Sequence, residues 1–123
     1  MKEYFENTKG TAVLATSDSQ GNVDAAVYAR PHFVDEQTIA FIMNDHLSYK
    51  NLCSNPKAAY LFIEEGPGYN GKRLYLTKIK QSDDQQLIES MRKRKNNHAC
   101  EDAETKRFLV YFKVDKIRPL VGD

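Results

Sequence analysis

Residues 44–62 read NDHLSYKNLCSNPKAAYLF. A polar turn opens the stretch. Tyr49, Leu52 and Cys53 follow at positions i, i+3 and i+4, the spacing of one buried helical face. Asn55-Pro56 ends that helix, because the residue before a proline is pushed out of the α region. Residues 57–65 then read as a strand entering a core. The stretch therefore sets a short helix between two strands, with Ser48 and Lys50 at its mouth. The first N–H groups of a helix lack internal partners, and the helix dipole favours negative charge there. A hydroxyl and an ammonium at that end make a small phosphate site. The same two residues also read as an ordinary N-cap and a solvated lysine. Pattern alone leaves both readings open, and two residues two apart turn to different helical faces.

Working outward, the neighbours are strands. Upstream, 38–43 (TIAFIM) is rich in β-formers. The segment 23–34 is strand-like but interrupted at Arg30-Pro31, so it is an edge or is bent there, since proline offers the ladder no N–H. The run 11–18 ends in a turn, 17–22, where Gly21 is available for positive φ. Residues 2–9 form a short helix with Tyr4 and Phe5 inward. Downstream, the glycine-rich 66–71 reads as a hairpin loop. In 72–80, Leu74 and Leu76 alternate with Tyr75 and Thr77, giving two distinct faces. Residues 82–95 are the clearest helix, with Ser82 and Gln85 in a capping box and Leu87, Ile88 and Met91 on one face. The stretch 96–104 is an irregular connection. In the last strand, 107–117, Phe108, Val110, Phe112 and Val114 share a side. About six strands and two or three helices, with few helices between strands, point to a mainly β antiparallel barrel or sandwich.

Composition narrows the function. The chain has 123 residues, 41% hydrophobic and 28% charged, which is ordinary for one globular domain, 1–123. The net charge of +1 sets up no global field toward nucleic acid or anionic lipid, so any anion site must be local. The run Arg92-Lys93-Arg94-Lys95 sits in a last helical turn, where the dipole favours cations, and it has no interleaved aromatic residue to stack bases; it reads as a solvated face. No nucleic-acid or membrane partner is expected. No apolar run is long enough to span a bilayer, and the polar first ten residues do not read as a secretory signal. The two cysteines, Cys53 and Cys100, have no CxxC spacing and imply neither a disulfide framework nor a zinc site. His32, His46 and His98 lie far apart, so no metal site is expected. A cytoplasmic setting fits best.

The ordered set of features resembles the pyridoxamine 5′-phosphate oxidase-like family of FMN-binding split barrels, over roughly residues 8–117. The quoted stretch carries the likeness. Asn44 stands where the family often has threonine, Ser48 and Lys50 match its serine and lysine, and Asn55-Pro56 matches its Asn-Pro. Tyr49 stands in place of the usual arginine. Upstream, YARPHF (28–33) is similar to the segment whose main chain and basic residue face the flavin, which places Tyr28, Ala29 and Arg30 there. Downstream, GKRLYL (71–76) aligns with the strand that presents a polar residue from the other subunit; Arg73 takes that place instead of glutamine.

The resemblance implies a six-stranded antiparallel split β-barrel that binds FMN, and a homodimer with the flavin groove between subunits. It implies a flavin-dependent oxidoreductase with a small-molecule electron donor or acceptor, or else a non-catalytic FMN-binding or electron-transfer protein. No residue pattern nominates an acid–base group. The true oxidases of the family carry a longer C-terminal region with an arginine and a histidine for the vitamin B6 substrate. DKIRPLVGD (115–123) has no such pair, so true oxidase activity is not expected. Haem and an F420-type deazaflavin remain open as other occupants.

Overall fold

The computed structural model describes residues 1–95 and 107–122, with the side chains of 93–95 left aside. The element order is α1 (Lys2–Asn7), β1 (Gly10–Ser17), β2 (Val23–Tyr28), β3 (His32–Asp35), β4 (Thr38–Asn44), α2 (Leu47–Ser54), β5 (Lys57–Glu64), β6 (Gly71–Ser82), α3 (Gln85–Lys95) and β7 (Arg107–Pro119). The stretch 96–104, with His98 and Cys100, lies outside the described residues. The strands form one antiparallel sheet in the order β2-β1-β5-β6-β7-β4-β3. The fold is mainly β, as its sequence implies, but with seven strands instead of six.

The extra strand comes from Arg30-Pro31. The 23–34 segment does not bend within one ladder position. It leaves the sheet at Tyr28 and re-enters it at His32, at the opposite end of the strand order. Six strand gaps in a flat sheet would separate those ends by about 29 Å. Four residue steps reach at most about 14 Å. The sheet must therefore curl until its two edges face each other across this short crossover. The barrel is closed by covalent chain at one point and split elsewhere, and the split is where a ligand can enter.

The inward faces make the core. Phe5, Leu14, Phe41, Tyr60, Phe62, Leu74, Leu76, Val110 and Phe112 are almost wholly buried, and their rings meet at 4.9 Å (Phe5–Phe62) and 5.2 Å (Phe41–Tyr60). Phe5 comes from α1; strand alternation places the others on one side, as read from 72–80 and 107–117. The 66–71 loop joins β5 to β6. Gly71, at φ 156°, is irreplaceable there: a Cβ would stand 1.9 Å from the Phe62 carbonyl oxygen. At the β1–β2 turn, Asp18 accepts hydrogen bonds from the backbone N–H groups of Gln20 and Asn22.

Helix α3 lies outside the barrel. Ile88 is buried against Ala40 and Leu109, with Met91 beside it. Leu87, expected on the same face, is 39% exposed, because the contact stripe is centred on Ile88. The expected capping box is replaced: Ser82 ends β6, and the Asp84 carboxylate accepts from the N–H groups of Gln86 and Leu87.

Candidate functional site

Helix α2 begins two residues earlier than a Ser48 cap would require. His46 is the N-cap, and Ser48 sits in the first turn. The helix buries Ser48, Tyr49, Asn51 and Leu52. Cys53 is exposed, contrary to the i+4 expectation, because Ser48 and Asn51 turn the buried stripe to the other side. The Asn51 amide donates to the Thr16 hydroxyl at 3.0 Å, which pins α2 to β1. This anchor fixes where the first turn of α2 points.

That turn opens into a cavity of about 550 Å³ in the split of the barrel. One wall is β2, with Asp24, Ala26, Val27 and Tyr28. The crossover contributes Ala29, Arg30 and, at its far end, His32. Strand β4 contributes Phe41, Ile42 and Asn44, and the start of α2 contributes His46, Leu47 and Ser48. Arg92 of α3 and Arg107 of β7 complete the lining. Among the described residues, three guanidinium groups thus face one carboxylate, Asp24. Apolar walls in such a cavity lower the local dielectric and strengthen any contact to an anion.

The ladder explains why these residues meet. Asn44 pairs with Arg107 at the shared end of β4 and β7, and Ser48 follows four residues later. Arg107 and Ser48 are each 6% exposed. Gln85 holds the neighbourhood together by donating to the Arg107 carbonyl at 2.9 Å. The crossover is also pinned: Arg30 donates to the Thr8 carbonyl at 2.6 Å, and the Tyr60 hydroxyl donates to the Ala29 carbonyl at 3.1 Å. The Tyr28 phenol meets the Ser48 hydroxyl. Burial pushes the Tyr28 pKa up, the Ser48 hydrogen bond opposes this, and the nearby Asp24 charge adds to the rise. Tyr28 is therefore a neutral hydrogen-bonding group at ordinary pH.

Of the residues expected from sequence, Tyr28, Ala29, Arg30, Asn44 and Ser48 line this one cavity. Tyr49 does not. Its ring stacks on Phe108 at 4.1 Å, and its hydroxyl accepts from Gln81 at 2.7 Å, so it belongs to the packing beneath α2. Lys50 is exposed and outside the lining, as expected for a residue two positions from Ser48 on a helix. Arg73, expected at the flavin of the other subunit, lies away from this protomer's cavity, where its side chain donates to the carbonyls of Pro119 (at 2.7 Å) and Gly122. His32, His46, Arg92 and Arg107 line the cavity without having been singled out for it. Arg92, which the sequence places on a solvated face, is instead mostly buried against the cavity, because α3 docks on the sheet through Ile88. Only the docking of α3 and the β4–β7 register bring the two arginines here, and neither leaves a local sequence signal. Among the described residues, no three His, Cys, Asp or Glu side chains cluster as a metal site. No helix among them is long and apolar enough to cross a membrane.

No protein-family model and no curated protein sequence matches the chain. Solved structures do. An FMN-binding protein from Syntrophomonas wolfei superposes with a TM-score of 0.78 at 20% identity, covering 98% of this chain and 84% of that one. HupZ from Group A Streptococcus gives 0.75 at 18% identity, covering 98% and 90%. A putative pyridoxamine 5′-phosphate oxidase from Lactobacillus delbrueckii gives 0.69 at 17% identity, covering 94% and 88%. The chain thus has the split-barrel fold of pyridoxamine 5′-phosphate oxidase-like proteins.

Proposed function

We propose that this protein binds FMN in the split of its barrel and acts as a flavin-dependent oxidoreductase on a small molecule. The observation that carries the reading is the convergence of Arg107, Ser48, Asn44 and the first turn of α2 at one end of an apolar-walled cavity. That end suits a dianionic phosphate: a fixed guanidinium, a hydroxyl and helix N–H groups. The rest of the cavity suits a flat ring, with Val27, Phe41 and Ile42 as apolar surface and the crossover main chain along one edge. Its volume of about 550 Å³ is in the range of small-molecule sites. Bound there, FMN would supply the hydride and electron chemistry; the chain's own residues bind the phosphate, orient the ring and exclude water. An FMN-binding protein of the same fold supports the choice of cofactor.

The groove is one-sided in a single protomer. Val27 lines it yet is 73% exposed, and Val23 on the same edge strand is 82% exposed. A second copy of the chain covering β2 would bury this edge and close the groove, so a homodimer belongs to the proposal. The setting it fits is the cytoplasm.

The absorption spectrum of the purified protein tests the cofactor: flavin bands are expected, and a Soret band would replace FMN with haem. Bleaching of the bound flavin by NADH or NADPH separates an oxidoreductase from a protein that only stores FMN or passes its electrons on. Sedimentation equilibrium of the FMN-saturated protein tests the dimer; a mass near the monomer's 14.1 kDa would overturn it.

A further inference from the structure

We infer that Arg92 is the recognition site for a small organic carboxylate, held in the flavin cavity at the end away from the phosphate. The inference rests on the flavin reading above and adds a substrate class to it. Arg92 is unlike the other two arginines of the cavity. Arg30 spends a donor on the Thr8 carbonyl within the crossover, and Arg107 is built into the start of β7. The Arg92 side chain is only 20% exposed. It gives one N–H to Glu89 at 2.7 Å and makes no other hydrogen bond among the described residues. A guanidinium carries five N–H donors in a planar fork. Most of that fork is therefore unspent, in a mostly buried position that faces a cavity where Asp24 is the one carboxylate among the described residues. Holding a charge out of water with its donors unused is costly unless something fills them. A carboxylate matches the fork in two parallel bonds.

Position separates this anion from the FMN phosphate. Gln85, at the start of α3, is bonded to the Arg107 carbonyl. Arg92 lies seven residues further, about 10 Å along the helix axis. Its neighbour Met91 lines an adjoining hollow together with Arg30, Pro31 and His32. Arg92 thus stands at the crossover end of the cavity, and Arg107 with Ser48 at the other. One compact phosphate does not bridge that span, so the two ends take different anionic groups.

Benzoate is a suitable probe, with benzamide as its uncharged control. Titrated into FMN-loaded protein, benzoate is expected to perturb the flavin spectrum saturably, and benzamide not to. Arg92→Gln is expected to weaken benzoate binding about tenfold or more, and Arg92→Lys, which keeps the charge without the fork, by less. FMN affinity should stay within about twofold in both variants. Calorimetry of benzoate with flavin-free protein gives the same comparison without the cofactor. Should FMN fail to bind at all, the flavin reading falls while this arm still decides Arg92. The inference is overturned if benzoate binds neither form of the wild type, if it binds Arg92→Gln equally well, or if Arg92→Gln costs tenfold in FMN affinity, which would place Arg92 on the cofactor.

Discussion

Two basic hollows among the described residues differ in what surrounds the charge. The cavity in the barrel split gathers Arg30, Arg92 and Arg107 among Val27, Phe41, Ile42 and Leu47. The other hollow, of about 450 Å³, lies on β6 and β7 and is lined by Arg73, Tyr75, Lys116 and Arg118. Strand register forces that second cluster: Arg73 stands directly opposite Arg118, and Tyr75 opposite Lys116. Like charges placed opposite each other on a sheet destabilise it. The chain answers by folding its last residues back, so that the Pro119 and Gly122 carbonyls accept from Arg73. In the first hollow, arginines meet apolar walls and a helix start; in the second, they meet water and their own C-terminal backbone. Positive charge marks a ligand site only where desolvation makes the charge worth something.

The largest effect expected from this contrast is at Arg107. Arg107→Gln should weaken FMN binding about ten- to hundredfold, the value of roughly 1.5–3 kcal/mol for a charge-assisted contact. Riboflavin, which lacks the phosphate, should respond much less. Arg118→Gln, the equivalent change in the open hollow, should leave FMN affinity within about twofold. Quenching of flavin fluorescence measures all three. Equal losses at Arg107 and Arg118 would erase the distinction between the hollows.

Next in size is the hydroxyl pair. Ser48→Ala removes a neutral hydrogen bond worth about 0.5–1.5 kcal/mol, hence about a two- to tenfold loss of FMN affinity. Tyr28→Phe should cost a similar amount. Since the two hydroxyls meet, the double variant should lose less than the sum of the singles. Strict additivity would mean that each acts alone and that their contact plays no part in the cavity.

Much of this architecture is legible before any coordinates. The alternation in 72–80 and 107–117 places Leu74, Leu76, Val110 and Phe112 in the core, because a strand's period of two is a local property. The helix after Asn44 is equally local. What escapes is whatever depends on distant pairing. Arg30-Pro31 signals an interruption, but not that the chain re-enters at the other edge of the sheet and thereby creates a seventh strand. Arg107 joins Asn44 only through the β4–β7 register, and Arg92 reaches the cavity only because Ile88 docks on Ala40 and Leu109. The motif Ser48-Tyr49-Lys50 brings one of its three residues to the cavity, since a helix sends successive side chains about 100° apart. Five of the eight residues expected at the flavin line one cavity; Tyr49 and Lys50 do not, because the motif could not supply their direction, and Arg73 is expected at the flavin of the other subunit.

Lys50 is the test of that last point. Lys50→Ala should weaken FMN binding less than about threefold at physiological salt, because an exposed ammonium outside the cavity acts only through a screened field. The loss should grow at low ionic strength and vanish at high. A tenfold loss independent of salt would mean that Lys50 touches the phosphate directly, and the open hollow's lesson about exposed charge would not extend to α2.

The smallest effect is expected at Arg73, and it bears hardest on how the two hollows relate. The family likeness assigns this position to a flavin in the opposite subunit. In the protomer the guanidinium is already held by the Pro119 and Gly122 carbonyls. To reach a flavin across an interface it would have to give up both, each a charge-assisted bond of about 1.5–3 kcal/mol. A single contact to an uncharged ring edge does not repay that. Arg73→Ala should therefore leave FMN affinity within about twofold, while releasing the chain end, which limited proteolysis at residues 119–122 would detect as faster cleavage. If FMN affinity instead falls tenfold and the protein sediments as a dimer, Arg73 exchanges its backbone partners for the cofactor when two copies meet. The open hollow would then be the second wall of the flavin groove, and the separation between the two basic clusters would hold for the protomer but not for the dimer.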